Sequence, residues 1–330
     1  MVSSGDSSLA CRVAYCAQQM RGCRAYWYSR LKELISMVNQ LGPLTIFFTL
    51  SAADLQWPEL YKLLDTENRL GSLDPNRRRR ERAKLLNDNP LVVSWFLQKR
   101  VDLFLKLFLK KEFKVVDHWY RFEWQSRGSG HVHGFLWLED RPDPSRIATD
   151  EEVRRMICDY FDSIICTWNP DPSFRVVIQD NHPCAQEISE DSNLEDDDDD
   201  YAALVNYVMR HTKCGSYCLR KSKVTRRDEC RFRFPIELLD ESKLVEEPAY
   251  SNMFRFLGRR NDQWLNSHNR AVIQAWRANI DWSAVTTTES VTRYIAKYAA
   301  KAEPASRIAS TFCEESLIIH YDLVVTQNLL

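Results

Sequence analysis

The sequence predicts an α+β protein, a central antiparallel sheet flanked by helices. Three observations carry that expectation. Pro43 to Leu50 is an apolar run of strand length with β-branched and aromatic content. Phe113 to Leu138 reads as two strands joined at Ser126-Arg-Gly-Ser-Gly130, a β-hairpin, because aromatic and β-branched residues flank a glycine-rich turn. Around these lie stretches with helical patterning, from about Gln18 to Gln40, from Pro90 to Lys111 and from about Asp150 to Cys166. Strands and helices in this order suit a sheet covered by helices.

Taken along the chain, the first helix leads into the first strand, after which Ser51-Ala-Ala-Asp54 is expected to cap a short helix by accepting from its exposed amides. Asn76-Arg-Arg-Arg-Arg-Glu-Arg-Ala-Lys84 is a basic helical patch in which Arg77, Arg78, Arg79, Arg80, Arg82 and Lys84 suit phosphate contacts. A solvated helix end or a nuclear import signal accounts for the same residues equally well. Pro90 is tolerated in the first turn of the long helix that follows. Its Leu91, Trp95, Leu103 and Leu107 are expected to pack on the sheet.

With 330 residues, 28% charged and 44% apolar, the chain describes one large or two smaller globular units. No apolar run reaches the length of a membrane span, and the first residues lack the basic and apolar regions of a signal peptide. A nuclear or otherwise intracellular protein with no membrane contact is expected. Ten scattered cysteines agree, since they are not the framework of a small secreted domain. The formal charge of −1 hides a basic chain: Glu187, Glu190, Asp191 and Glu195 through Asp200 are nine acids, and without them the charge is +8. Such a run repels itself, so a solvated, disordered loop is expected over 181–200.

The hairpin carries the chemistry. Side chains alternate across a strand, so His131 and His133 share a face, as do Glu123 and Gln125 on the strand opposite. Two neutral imidazoles with a carboxylate or amide oxygen suit Mg²⁺ or Mn²⁺ with open positions for a phosphate. Glu123 is the preferred third ligand, because a carboxylate binds a hard cation better than the amide of Gln125 does. A His-x-His pair on a strand is, by itself, more often a pair of surface or core histidines.

The far end of the chain adds weight. Thr292-Arg-Tyr-Ile-Ala-Lys-Tyr-Ala-Ala-Lys301 is rich in alanine and free of Gly and Pro, hence helical, and groups Tyr294, Lys297, Tyr298 and Lys301 on one face. Two tyrosines one turn apart are usually core aromatics, yet two lysines on the same stripe count against burial. Phenol nucleophiles, flanking cations and a hard-metal hairpin together describe phosphodiester transesterification.

A second constellation is His211-Thr-Lys-Cys214-Gly-Ser-Tyr-Cys218 followed by Cys230. Four soft or borderline ligands fit a tetrahedral structural Zn²⁺, although the spacing is not that of a standard finger and a cluster of buried thiols fits too. Arg220, Lys221, Lys223, Arg226 and Arg227 would be carried by this insertion. Trp264, Trp276 and Trp282 could stack unpaired bases, but most such tryptophans are core.

At these residues the chain resembles the replication-initiator nuclease domain of Helitron rolling-circle transposases, a branch of the HUH endonucleases. His131-Val-His133 matches the HUH motif, Glu123-x-Gln125-x-Arg-Gly precedes it, and Tyr294-x-x-Lys-Tyr298 matches the two-tyrosine helix. The resemblance runs from about Arg21 to Glu303. It implies an HUH-type antiparallel sheet with the histidines on a middle strand. It also implies nicking and rejoining of single-stranded transposon ends through a 5′-phosphotyrosine, with Mg²⁺ or Mn²⁺ at the hairpin, and the His, Cys, Cys, Cys pattern occurs in the same family. The domain reading is then a helical extension (1–40), a nuclease core (41–180), the acidic loop (181–200), a zinc-binding insertion (201–240), the tyrosine-bearing part (241–303) and a divergent tail (304–330).

No Gly-x-x-x-x-Gly-Lys-Ser/Thr occurs, so a fragment whose helicase is supplied elsewhere is expected. The other reading is a catalytically inactive, transposon-derived protein that binds single-stranded nucleic acid. A relic would have no reason to keep His131, His133, Glu123, Tyr294 and Tyr298 together.

Overall fold

Side-chain alternation in the first strand puts Ile46, Phe48 and Leu50 on one face of the sheet and Phe47, Thr49 and Ser51 on the other. The computed structural model describes residues 15–16, 18–19, 24–124, 128–174, 182–186, 197–216, 218–222, 226–246 and 253–286. The chain divides into two compact units, one comprising 1–42, 124–127 and 289–330, the other 43–123 and 128–288. In the first, helix α1 (Arg24–Leu41) is the described element.

The second unit begins with β1 (Ile46–Ser51), α2 (Pro58–Leu64), α3 (Pro75–Asp88) and α4 (Pro90–Leu103), the last running on through a π-helical stretch at Phe104–Leu109. The hairpin strands β2 (Val115–Trp124) and β3 (Gly130–Leu138) follow, then α5 (Glu151–Ile164), which Asp150 caps by accepting from Glu152 N and Val153 N. Next come α6 (Asp198–Leu204), the short strands β4 (Leu219–Lys221), β5 (Asp228–Cys230), β6 (Lys243–Glu246) and β7 (Phe254–Leu257), and finally α7 (Arg270–Trp276) and β8 (Ile280–Ala284). The main sheet has the order β2-β3-β1-β8, with β1 antiparallel to both β3 and β8, while β4–β5 and β6–β7 form separate ribbons. The α+β class and the antiparallel sheet are as expected.

The apolar face is dry. Ile46, Phe48 and Leu50 of β1 meet Leu136 and Val132 of β3 and Trp282 and Ile280 of β8, all fully buried. Trp282 lies 5.3 Å from Phe113 and 6.4 Å from Phe48, ring centre to ring centre, and Trp276 packs edge-on to Trp57 and Phe104. Trp276 and Trp282 are therefore core residues and are not available to stack on bases. Opposite Phe48 sits Gly134, where an added Cβ would clash with the buried Phe48 ring and stand 2.8 Å from the Trp119 carbonyl oxygen. A backbone oxygen in a hairpin cannot step aside. Gly134→Ala is expected to cost about 1–3 kcal/mol, the range for overpacked cores, read as a lower urea midpoint at unchanged m-value.

Three expectations need correction. Ser51 and Asp54 do not cap a helix: α2 starts at Pro58 after Trp57, with no side-chain cap, because proline sets the first helical φ. Asp54 instead accepts from Leu55 N in the preceding turn. The long helix buries Val93, Leu97, Val101, Phe104, Leu105 and Leu109, whereas Leu91, Trp95, Leu103 and Leu107 are 74, 53, 55 and 68% exposed. Apolar residues run nearly all round this helix, so two stripes satisfied the same period. Finally, the acidic run is not all solvated loop. Asp197 caps α6 and Asp200 is buried against Arg277, while 187–196 lie outside the described residues.

Candidate metal centres

On the opposite face, beyond Phe47 and Phe135, the register aligns two rows of polar side chains across three strands. His133 of β3 is opposite Thr49 of β1, which is opposite Asp281 of β8. Two pairs further along, His131 is opposite Ser51, whose backbone N–H donates to Asn279 O at 3.0 Å. Each imidazole is held at Nδ1 by the hydroxyl beside it, His133 by Thr49 Oγ1 at 3.0 Å and His131 by Ser51 Oγ at 3.2 Å. The rings lie nearly parallel, 17° apart with centres separated by 6.4 Å. Phe47, stacked on His133 at 6.3 Å, limits its tilt.

Glu123, from β2, brings Oε2 to 3.0 Å from His133 Nε2. Gln125 lies outside the described residues, as do Tyr294, Lys297, Tyr298 and Lys301. The structure thus joins Glu123 to His133 directly and sets His131 beside them on the same face. Two imidazoles and a carboxylate are donor types that suit a hard divalent cation, but as they stand Glu123 reaches His133 and the three do not gather into a group that could hold an ion. Asp281 is a carboxylate that motif reading missed. Burial pushes it above the usual range, against the opposing pull of the Ser283 hydroxyl at 2.6 Å and of nearby His133.

The second cluster is tighter. Among the described residues, one group of three or more His, Cys, Asp or Glu side chains could hold a metal ion, and it is His211, Cys214, Cys218 and Cys230, whose ligand atoms all lie within 4.8 Å of one another. His211 Nε2 is 3.3 Å from Cys214 Sγ and 3.6 Å from Cys230 Sγ. A tetrahedron with bonds of about 2.3 Å to sulfur and 2.0 Å to nitrogen leaves roughly 3.6 Å between such atoms. The cluster can therefore hold a metal ion such as zinc. Its frame comes from β4 and β5, whose pairing of Leu219 with Cys230 brings together cysteines that are distant in sequence. Gly215 N donates to Cys218 Sγ at 3.2 Å, and the His211 ring stacks on Phe234 at 4.8 Å.

The basic helix divides its labour. Asp74 caps α3 and pairs with Arg77 at 3.3 Å. Arg78 donates to the carbonyls of Leu70 and Leu73, and Arg82 donates to Leu55 O at 3.0 Å while lying over the Tyr61 ring. Those two tie the helix down. Arg77, Arg79, Arg80 and Lys84 are the exposed cations of the patch.

Residues 3–136 match the family described as the Helitron helicase-like domain at N-terminus. That segment is similar to Helitron helicase-like N-terminal domains. The matched stretch holds β1, the basic helix and the hairpin with both histidines, while the His211 cluster lies beyond it. No curated protein matches the chain. Among the described residues, no helix is long and apolar enough to cross a membrane.

Proposed function

We propose that the chain is a Helitron-type nuclease that nicks and rejoins single-stranded DNA by tyrosine transesterification. The observation that carries this reading is the presentation of His131 and His133 from one face of β3, with both Nδ1 atoms held by β1 and Glu123 against His133, inside a Helitron-matching segment. Glu123, His131 and His133, with Gln125 as the alternative oxygen donor, would hold Mg²⁺ or Mn²⁺. When bound, such an ion polarises the scissile phosphate and offsets charge on its oxygens.

The phenolate of Tyr294 or Tyr298 attacks phosphorus, the P–O3′ bond breaks, the 3′ oxygen leaves as a hydroxyl after taking up a proton, and the 5′ phosphate stays on the tyrosine. Lys297 and Lys301 favour the phenolate by placing positive charge beside it. The second tyrosine accepts the other strand end. Arg77, Arg79, Arg80 and Lys84 offer phosphate contacts along the bound strand. The ends must be single-stranded, so this reading gives unwinding to a helicase domain or partner, and a nuclear or otherwise intracellular site of action follows.

Incubation of the purified chain with single-stranded DNA and Mn²⁺ is expected to give cleavage and a covalent protein–DNA adduct. Tight binding with neither product would instead mark a nucleic-acid-binding relic. Tyr294→Phe and Tyr298→Phe are each expected to leave some nicking, and the double change to leave none. Undiminished adduct in the double variant would remove both tyrosines from the mechanism.

A further inference from the structure

The two histidines of the hairpin can serve as ligands through Nε2 only if the ring proton sits on Nδ1. A hydroxyl beside Nδ1 does not decide this alone, because it can either donate to that nitrogen or accept from it. What lies behind the hydroxyl decides. Behind Ser51 lies Asn279: the Ser51 hydroxyl donates to Asn279 Oδ1 at 3.4 Å.

The orientation of that amide is itself fixed. Asn279 Nδ2 donates to Val208 O at 2.6 Å, a contact the amide oxygen could not make, so the oxygen is the end that faces Ser51. An amide oxygen accepts and never donates. With the Ser51 proton directed to Asn279 Oδ1, the Ser51 oxygen accepts from His131 Nδ1–H across their 3.2 Å contact. The backbone bond from Ser51 N to Asn279 O at 3.0 Å holds the two residues in register. The row His131, Ser51, Asn279 therefore runs in one direction and leaves the lone pair on Nε2.

We infer that Asn279 is a positioning residue that, through Ser51, sets the Nδ1–H tautomer of His131 and so makes its Nε2 the ligand atom. This rests on the reading of the hairpin as a metal centre, but the tautomer is measurable without metal, DNA or activity. Asn279 reaches the imidazole through Ser51. It immediately precedes β8, 228 residues from Ser51, and its Val208 contact lies in the π-helical turn after α6.

The test uses the full chain labelled with ¹⁵N, with imidazole nitrogen shifts read by long-range proton–nitrogen correlation at about pH 8, above the usual histidine pKa. His131 is expected to show a protonated Nδ1 and an unprotonated Nε2. Asn279→Leu removes the acceptor and the Val208 contact, and should move His131 to a mixture or to the Nε2–H form. Asn279→Asp keeps an oxygen toward Ser51 while losing the donor to Val208, so it should retain the native tautomer if the acceptor matters and resemble Asn279→Leu if the role is only structural.

Ser51→Ala serves where Asn279→Leu does not fold, with the same expectation of a shifted tautomer. Mn²⁺ affinity, followed by the loss of its free-ion resonance, should fall by about tenfold in Asn279→Leu, as for other outer-contact losses. An unchanged His131 tautomer in Asn279→Leu or Ser51→Ala, or an Asn279→Asp protein that behaves as Asn279→Leu, overturns the inference. A shifted tautomer in a protein that neither binds Mn²⁺ nor nicks DNA upholds the positioning role and defeats the nuclease reading instead.

Discussion

Elemental analysis of the freshly purified chain is expected to return one tightly held zinc that survives brief EDTA and disappears in a Cys214→Ala, Cys218→Ala variant. The argument is geometric. Three sulfurs and one nitrogen lie within 4.8 Å of one another, which leaves no open position for substrate. The segment around them has little else to hold it, since β4 and β5 are three-residue strands with most side chains at the surface. Structural zinc of this kind contributes on the order of 10 kcal/mol to folding of its own segment. Loss of the metal should therefore unfold 211–234, seen as proteolytic cleavage in that span, and weaken DNA binding through the arginines and lysines carried there. Gentle EDTA should act differently on nicking, abolishing it quickly and reversibly by removing an exchangeable ion from Glu123, His131 and His133. Zinc-free protein of normal stability and protease resistance would sink the structural role.

Arg277→Met is expected to destabilise the second unit by about 3–5 kcal/mol, the cost of leaving one member of a buried ion pair alone. Arg277 and Asp200 are both buried, and the guanidinium meets the carboxylate through two bonds of 2.6 and 2.8 Å. The same guanidinium donates to Pro183 O and to Gln186 Oε1, so one side chain pins the start of α6 and the 3₁₀ turn before it. Removing it leaves a carboxylate and a carbonyl without their donor. The paired change Arg277→Met, Asp200→Leu should recover much of the loss, because an apolar pair of similar size carries no desolvation penalty. Urea unfolding of the single and double variants measures both effects. Equal losses in the two would show that packing, not charge, holds this corner.

Aspartate runs such as 196–200 read from composition as solvated loop, and the end of this one is a buried anchor. Composition averages over neighbours, whereas burial depends on one partner: Arg277, 77 residues away, neutralises Asp200 but not Asp198. Long helices pose a similar problem. In α4 and its π-helical extension, Leu91, Trp95, Leu103 and Leu107 keep helical spacing as well as Val93, Leu97, Val101 and Phe104 do, and only the neighbouring elements select the second set.

By itself the sequence determined much that follows from local period and ligand chemistry. His131 and His133 share a face because strand side chains alternate, and helices begin at Pro90 and just after Asp150 as the patterning predicts. The four zinc-type ligands were legible because histidine and cysteine are uncommon and lay within one stretch. Tertiary structure alone decided which side chains stand behind those ligands. Thr49, Ser51, Asn279 and Asp281 are ordinary polar residues with no motif, and they line up beside or behind the histidines because β1 is inserted between β3 and β8. Strand order in a sheet is set by the burial of Phe48, Leu50 and Trp282 on its other face, a collective property that no local spacing encodes.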